Sequence, residues 1–237
     1  MAAVERARAA AEARLEAAKA LPAAYLRAAF SGPETQEWPS KKLGEVALNI
    51  QNGIYKTADN YGHGHQFLRM YNIQNDSWKL RLDPIAQVAL VGSEGTTFGL
   101  KDGDLLISRV NSFELVGKCA CVGPEAVGYV FENMLIRVRL DQSVQSLFVA
   151  QQFATRRVRE QIESVAKRAI GQASINSEDI RGIQLSLPPL ADQLRISAAL
   201  NEQTASVEMA RKAIEEELDA INKLPASLLR RAFSGEL

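Results

Sequence analysis

VERARAAAEARLEAAKALPAAYLRAAFSG spans residues 4–32, and VEMARKAIEEELDAINKLPASLLRRAFSG spans residues 207–235. The two stretches align without gaps at a constant offset of 203 residues and are identical at 17 of 29 positions. Ala-rich helices inflate such counts, but composition cannot explain the shared Leu-Pro-Ala and the closing Ala-Phe-Ser-Gly. The chain therefore carries one helical segment twice, on either side of a different middle part.

The first copy of the repeat predicts helix. Residues 2–20 are strong helix formers and include no Gly or Pro. Pro22 suits the first turn of a second, short helix that runs to Phe30. We expect Ser31-Gly32-Pro33 to end that helix.

The second copy begins within a segment, residues 190–224, that also lacks Gly and Pro. Apolar residues recur there about every seven positions, as in coiled coils. The pattern predicts an antiparallel helical pair, formed within one chain or between two, in which small residues of the first copy face large residues of the second. The alternative is that each helix lies on the surface of the central domain. The predicted pairing residues are Leu200, Val207, Ile214, Leu218 and Ile221.

Between the repeats, short runs rich in Val, Ile, Leu and Tyr are separated by Gly, Asn and Asp. Such runs predict strands of a mixed sheet. Residues 146–169 return to helical spacing, whereas YGHGHQF (61–67) and GQASINSEDI (171–180) predict loops, the latter with Ser177 capping a short turn. The prediction is an α+β fold in which a mixed-sheet domain is flanked by long helices. The predicted domains are 1–33, 34–189 and 190–237.

Composition restricts the function. The 237 residues carry 28 basic and 28 acidic side chains, so net charge does not indicate a nucleic-acid partner. No apolar run approaches the length that spans a bilayer, and the acid-containing start is not of the signal-peptide type. Cys119 and Cys121 lie one residue apart on a predicted strand, where a disulfide would be strained. We therefore expect a reducing cytoplasm and no membrane contact.

The sequence lacks motifs for catalysis and metal binding. The segment GHGHQF begins like a dinucleotide fingerprint but ends in Phe where Gly is required. The H-x-H and C-x-C spacings fit no common zinc site. No P-loop, nucleophile elbow or metalloprotease helix occurs. We therefore predict a protein that is not an enzyme, with no metal and no cofactor.

Basic residues gather locally although the total balances. Arg156, Arg157 and Arg159 share a predicted helix, and a Gly-Gln-Ala-Ser-Ile-Asn stretch follows it. Arg and Lys hold phosphates, whereas Gln and Asn bond to base edges. Loops that project from a rigid sheet often carry binding residues. The alternative is a solvated helix face with ordinary turns.

Three stretches of the chain match motifs of one known family. They are WPSKKLGEVALNIQNG (38–53), LKDGDLLISRVNSFELVGKCACV (100–122) and SINSEDIRGIQLSLPPLADQLRI (174–196). Together they resemble the DNA-specificity (S) subunits of type I restriction-modification systems. In that family the first stretch is similar to the opening of a target recognition domain, the second to its core and the third to its exit into a long helix. The repeated Leu-Pro and Ala-Phe-Ser-Gly are typical of the family's connectors.

The resemblance implies a non-catalytic subunit that reads double-stranded DNA. In this family two recognition domains each read one half of a split site. The helices set the spacing and dock methyltransferase (modification) subunits, and a motor-nuclease (restriction) subunit joins indirectly. This chain carries one recognition domain, so it looks like a half subunit, either natural or cut from a longer one. We expect a homodimer to supply the second reader.

On this interpretation two other functions stay open. One is a helical assembly or adaptor protein whose central domain binds protein. The other is the recognition part of a DNA methyltransferase, which is disfavoured because no chain remains for a catalytic domain. The residues that we expect to contact DNA are Lys56, Tyr61, His63, Arg69, Arg109, Asn111, Lys118, Arg168, Gln172 and Asn176.

Overall fold

The computed structural model describes residues 2–75 and 77–234, and it confirms the predicted α+β class. The α-helices are α1 Ala2–Phe30, α2 Leu43–Val46, α3 Glu94–Phe98, α4 Ser146–Phe153, α5 Arg156–Val165, α6 Ser177–Gly182 and α7 Leu190–Ser234. Short 3-10 turns cover Pro33–Glu37, Ala58–Asn60, Met70–Asn72 and Pro124–Ala126.

The strands between the two long helices are short and form several small sheets. They are β1 Ser40–Lys42, β2 Ala47–Asn52, β3 Tyr61–Leu68, β4 Ala86–Val88, β5 Leu105–Ser108, β6 Val110–Asn111, β7 Cys119–Cys121, β8 Val130–Phe131, β9 Leu135–Leu140, β10 Lys167–Ala169, β11 Gln172–Ser174 and β12 Gln184–Ser186. The sheet orders are β2-β9-β5-β7, β4-β3-β8, β10-β11-β6 and β1-β12. The β3–β8 pair is parallel and the other pairs are antiparallel, so the sheets are mixed as predicted.

The chain divides into two compact units. A helical unit contains Met1–Ala29 and Ala199–Leu237, and a sheet unit contains Phe30–Ala198. These limits describe compactness and not function. The predicted functional division at 1–33, 34–189 and 190–237 therefore stays a prediction.

Within the helical unit, α1 and α7 run antiparallel. Arg14 forms an ion pair with Glu217, and Nε of Arg8 donates to Oδ1 of Asn222 over 3.0 Å. Residue numbers rise along α1 while their partners fall along α7, which defines the antiparallel direction. Arg14 and Glu217 are separated by 203 positions and are thus equivalent residues of the two repeats. The predicted pairing is present within one chain.

The predicted pairing face is the buried face of α7. The most buried small residues of α1, Ala11 and Ala18, are 1% and 7% exposed. Small residues on one helix and branched residues on the other let two helices approach closely. Of the predicted pairing residues, Leu200, Val207 and Ile221 are buried, whereas Ile214 and Leu218 are half-buried.

The predicted helix boundary at Pro22 is wrong. The helix α1 continues through Pro22 to Phe30, and α7 continues through the equivalent Pro225. A proline removes one backbone hydrogen bond and crowds the preceding turn, but packing along a helix pair outweighs such local preferences. The predicted stop after Phe30 is observed.

The core of the sheet unit lies between its sheets and α4. One cluster includes Leu106 on β5, Phe131 on β8 and Leu135 on β9, all at 0% exposure. At the start of the unit, the rings of Phe30, Trp38 and Phe148 pack together with centroids 5.3–6.3 Å apart. The Phe of the first Ala-Phe-Ser-Gly is therefore an anchor of the sheet unit.

Candidate nucleic-acid interface

The predicted loop YGHGHQF is a strand with a bulge. Pairing of β3 with β4 shifts so that both Tyr61 and His65 lie opposite Val88. Gly62 and Gly64 in this bulge have φ angles of +93° and +97°, a region that side chains disfavour. A Cβ at Gly64 would approach the carbonyl oxygen of Val88 to 2.6 Å. The two glycines therefore serve the bulge, which leaves His63 exposed between them.

The predicted loop GQASINSEDI is also partly ordered into regular elements. Its first residues form β11, which pairs with β10 on one side and with β6 on the other. Its last residues form α6, whose cap is Asn176 and not the predicted Ser177. Oδ1 of Asn176 accepts from the backbone amides of Glu178 and Asp179 at 2.7 and 3.0 Å. An Asn cap satisfies amides that a helix start leaves unpaired.

An open cavity of about 440 Å³ lies where these elements meet in the sheet unit. Its wall combines the bulged strand β3, the strand β6, the turn between β8 and β9, and the β10–β11 hairpin. The lining residues are Tyr55, Tyr61, Arg69, Met70, Val110, Asn111, Ser112, Glu132, Asn133, Met134, Gly171 and Gln172.

The side chain of Arg69 is oriented on one wall of this cavity. Its Nε donates to Oε2 of Glu132 over 3.1 Å, and Glu132 is itself 8% exposed. The guanidinium carbon lies 6.0 Å from the ring centre of Tyr61 and 5.8 Å from that of Tyr71. A guanidinium between aromatic rings is held by their negative faces. The side chain of Arg69 nevertheless stays 47% exposed.

Four of the ten predicted contact residues line this cavity together. Tyr61 and Arg69 come from β3 and the residue that follows it, Asn111 from β6, and Gln172 from β11. The amide of Asn111 is partly used, because Nδ2 donates to Ser108 and Oδ1 accepts from the backbone of Ser112. Tyr and Arg offer stacking surfaces, and Gln and Asn offer paired donors and acceptors.

Three other predicted contacts are engaged elsewhere. Lys56 forms an ion pair with Glu94 at 2.6 Å and its side chain is 9% exposed. Its ammonium lowers the pKa of Glu94, mainly through their hydrogen bond. Nζ of Lys118 donates to the backbone oxygen of Ile73 and to Asn75, and burial lowers the pKa of Lys118. Asn176 is occupied as the cap of α6.

The remaining predicted contacts lie outside the cavity wall. His63 is exposed on the bulge. Arg109 donates to the backbone oxygen of Asn133 over 3.3 Å, so it supports the turn between β8 and β9. Arg168 is on the exposed strand β10. Its guanidinium carbon lies 3.6 Å from the ring centre of Phe113.

The predicted basic helix face has mainly structural contacts. Arg159 donates to the backbone oxygens of Val116 and Phe113. Arg157 donates to Oγ of Ser186, which ties α5 to β12. Arg156, at 90% exposure of its side chain, forms an ion pair with Glu160 on the same helix. This helix therefore braces the sheet unit instead of presenting three free cations.

Sequence reasoning missed the turn between β8 and β9. Glu132, Asn133 and Met134 all line the cavity, and Tyr55 stands at its rim with 73% exposure. The Glu-Asn pair between two short apolar runs is a turn signal. That signal would have located the turn in the sequence. It would not have placed the turn beside β3 and β11, because that position is determined by nonlocal strand pairing.

The side chains that line the cavity are suited to binding. Within residues 2–75 and 77–234, no three His, Cys, Asp or Glu side chains cluster so as to hold a metal ion. Cys119 is buried, and burial raises the pKa of Cys121 to about 12, so neither thiol is an activated nucleophile. The cavity offers stacking surfaces, amides and one guanidinium, which is paired with the carboxylate of Glu132. No helix in the described part of the chain is long and apolar enough to cross a membrane.

Comparison with known proteins shows which proteins the chain is similar to. The chain is similar to specificity subunits of type I restriction enzymes over about nine tenths of its length, which confirms the resemblance predicted from its motifs. No protein-family model matches the chain.

Two curated relatives illustrate the similarity. The type I restriction enzyme EcoKI specificity subunit of Escherichia coli K12 is 27% identical over 226 residues, which is 90% of this chain and 48% of that subunit. The StySPI specificity subunit of Salmonella potsdam is 28% identical over 225 residues, again 90% of this chain and 48% of the relative. The chain thus spans about half the length of the curated relatives it matches.

Solved structures share the fold. The HsdS subunit from Thermoanaerobacter tengcongensis is 21% identical with a TM-score of 0.65, and the match covers 100% of this chain and 56% of that one. A chain from a structure on complex assembly and conformational transition of the type I R-M system is 20% identical with a TM-score of 0.78. That match covers 100% of this chain and 57% of the other.

Proposed function

We propose that this chain recognises double-stranded DNA by sequence, as a non-catalytic specificity subunit of a type I restriction-modification complex. The observation that carries the proposal is the similarity to specificity subunits across 90% of the chain. The convergence of Tyr61, Arg69, Asn111 and Gln172 on one open cavity supports it further. The predicted domain 34–189 reads one half of a bipartite site. The predicted helical regions 1–33 and 190–237 serve spacing and assembly.

The helical unit serves spacing and assembly in this proposal. A continuous helix of 45 residues measures roughly 67 Å at 1.5 Å per residue. Two readers must engage duplex DNA about one helical turn, near 34 Å, apart or at a multiple of that spacing. A rigid helical pair can set such a distance, whereas a flexible linker cannot. The same helices dock the modification subunits, and the restriction subunit joins through them.

Neutral net charge affects the strength of binding. With 28 basic against 28 acidic residues, the isolated chain has little long-range attraction for phosphates. We expect weak, salt-sensitive binding by the chain alone, strengthened in the complex with modification subunits. Tight binding by the isolated chain at physiological salt would contradict this expectation.

The test begins with selection of duplexes from a random pool by the purified chain at low salt. Affinity for the selected duplex is then measured by fluorescence anisotropy. Gln172→Ala is expected to weaken it by about tenfold and to relax the sequence preference, because a base contact contributes roughly 1–3 kcal/mol. Arg69→Ala is expected to weaken binding as well. The matched control is Arg195→Ala, which removes a 72% exposed guanidinium paired on its own helix.

The outcomes separate this proposal from its alternatives. Firm binding of a modification subunit, with no duplex enriched either by the chain alone or by that complex, would identify an assembly protein. Equal loss of affinity in the Arg195→Ala control would show a general charge effect and not a site.

The second reader is proposed to come from a second copy of the chain. Twofold pairing would make the recognised site a split palindrome. Light scattering tests it: a homodimer has twice the 26.0 kDa chain mass. A chain that stays monomeric both alone and with the modification subunit would exclude this part of the proposal.

A further inference from the structure

The β10–β11 hairpin ends in an apolar side chain that is fully open to solvent. Ile170, at its tip, has a relative exposure of 105%, the highest among the exposed large apolar residues of the described chain. Hairpin turns ordinarily use Gly, Asn, Asp or Ser at such positions. Ile170 contributes nothing to the core, so its use at the tip points to a contact with something outside the chain.

The hairpin is short and firmly anchored. Ala169 pairs with Gln172, which leaves a loop of two residues, Ile170 and Gly171. Gly171, the second residue of the turn, has a φ of +72°, a conformation that glycine adopts without steric cost. At the base, β11 pairs with β6 through Ala173, which is 1% exposed. The tip is therefore carried by a braced two-stranded ribbon.

The flanks of the ribbon are cationic. Lys167 and Arg168 are both exposed on β10. The ring of Phe113 lies 3.6 Å from the guanidinium carbon of Arg168, which restricts the orientation of that cation. Gln172, next to the tip, is exposed and lines the cavity described above. The cations Lys167 and Arg168 would attract an anionic partner. The apolar tip would fit a partner that also displays apolar groups in a recess between its negative charges.

We propose that this hairpin enters the major groove of DNA and that Ile170 contacts the C5-methyl group of a thymine. The inference rests on the proposed function and names a specificity-determining residue within it. The major groove, about 12 Å wide, admits a two-stranded ribbon, and the thymine methyl is the apolar group displayed there. Lys167 and Arg168 face the phosphates, and Gln172 bonds to the edge of a neighbouring base.

The test is a cycle between protein and DNA variants. The probe is the duplex selected from a random pool by the full chain. Each thymine in it is replaced in turn by deoxyuridine, which lacks only the C5-methyl group. At one position the replacement is expected to weaken binding of the unaltered protein about fourfold, the effect of one buried methyl group. The same replacement is expected to leave the affinity of Ile170→Ala unchanged, because the contact is already lost.

The matched control is Leu48→Ala, which removes another exposed apolar side chain, 69% exposed, from the sheet unit. It is expected to keep the fourfold response to deoxyuridine. Thermal melts are expected to show that Ile170→Ala folds like the unaltered chain, because the fully exposed Ile170 contributes nothing to the core.

Three results would overturn this inference while the proposed function stands. One is that Ile170→Ala responds to each deoxyuridine replacement as the unaltered protein does, and another is a selected site without any A·T pair. If Ile170→Ala loses a modification subunit and keeps its DNA response, the tip is a protein contact and the inference is wrong. If no duplex is enriched at all, the proposed function fails first.

Discussion

The buried ion pair between Asp104 and Arg139 gives a quantitative test of how the sheet unit is held together. The side chain of Asp104 is 1% exposed, and both of its oxygens accept from Arg139 at 2.7 Å. One oxygen also accepts from the backbone amide of Lys101 at 2.9 Å. The pair joins the start of β5 to β9, the two central strands of the four-stranded sheet.

Asp104→Ala leaves Arg139 without a carboxylate. Removing one member of a buried pair costs about 3–5 kcal/mol. Arg139 is 25% exposed, so water partly replaces the lost partner and we expect about 3 kcal/mol. For a chain of this size that lowers Tm by roughly 6–12 °C.

Tryptophan fluorescence during urea unfolding measures the change, because Trp38 and Trp78 both lie in the sheet unit. The control is Asp192→Ala, which breaks an exposed pair with Arg195 and is expected to cost less than about 1 kcal/mol. Equal effects of Asp104→Ala and Asp192→Ala would refute the reasoning. A double change of Asp104 to Ala and Arg139 to Met should recover part of the loss, because no unpaired charge then remains.

Two further predictions concern the helical unit and the thiols. Ile221→Ala is expected to destabilise the helical pair by about 2 kcal/mol, since Ile221 is 8% exposed, and Met209→Ala, at 69% exposure on the same helix, is the neutral control. Circular dichroism during heating measures both, and equal melting of the two variants would place the pairing face elsewhere. Because burial raises the pKa of Cys121 to about 12 from 9.0, its thiolate is about a thousandfold scarcer at pH 8 than that of an ordinary thiol. Iodoacetamide should therefore label the native chain far more slowly than the unfolded chain, and equal rates would show that the thiol is not shielded.

Local patterns in the sequence identified the long helices and most strands, because hydrophobic spacing is a local property. The seven-residue spacing of Leu200, Val207 and Ile221 predicted the buried face of α7. The break at Pro22 was wrong, since packing between two helices is not visible in the local sequence.

The candidate site was harder to predict. The chemistry of Arg69 and Gln172 suggested binding, but their meeting in one cavity depends on β11 pairing with β6 and on the bulge in β3. Lys56 and Lys118 are also cations suited to phosphate contacts, but both are engaged within the chain. Lys56 forms an ion pair with Glu94, and Lys118 donates to a backbone oxygen and to an amide oxygen. Residue type predicts what a side chain can do, whereas long-range contacts decide whether it is free to do it.

The contact between Arg14 and Glu217 has a consequence for partner choice. These residues are equivalent positions of the two repeats, so antiparallel pairing in this register brings each copy against its own counterpart. Two α1 helices would oppose two arginines there, and two α7 helices would oppose two glutamates. Only the mixed pair is attractive, and discrimination depends on the difference between attraction and repulsion. At this position the two copies of the repeat are complementary in charge, which favours a mixed α1–α7 pair over two like helices, whether the partner lies in the same chain or in another.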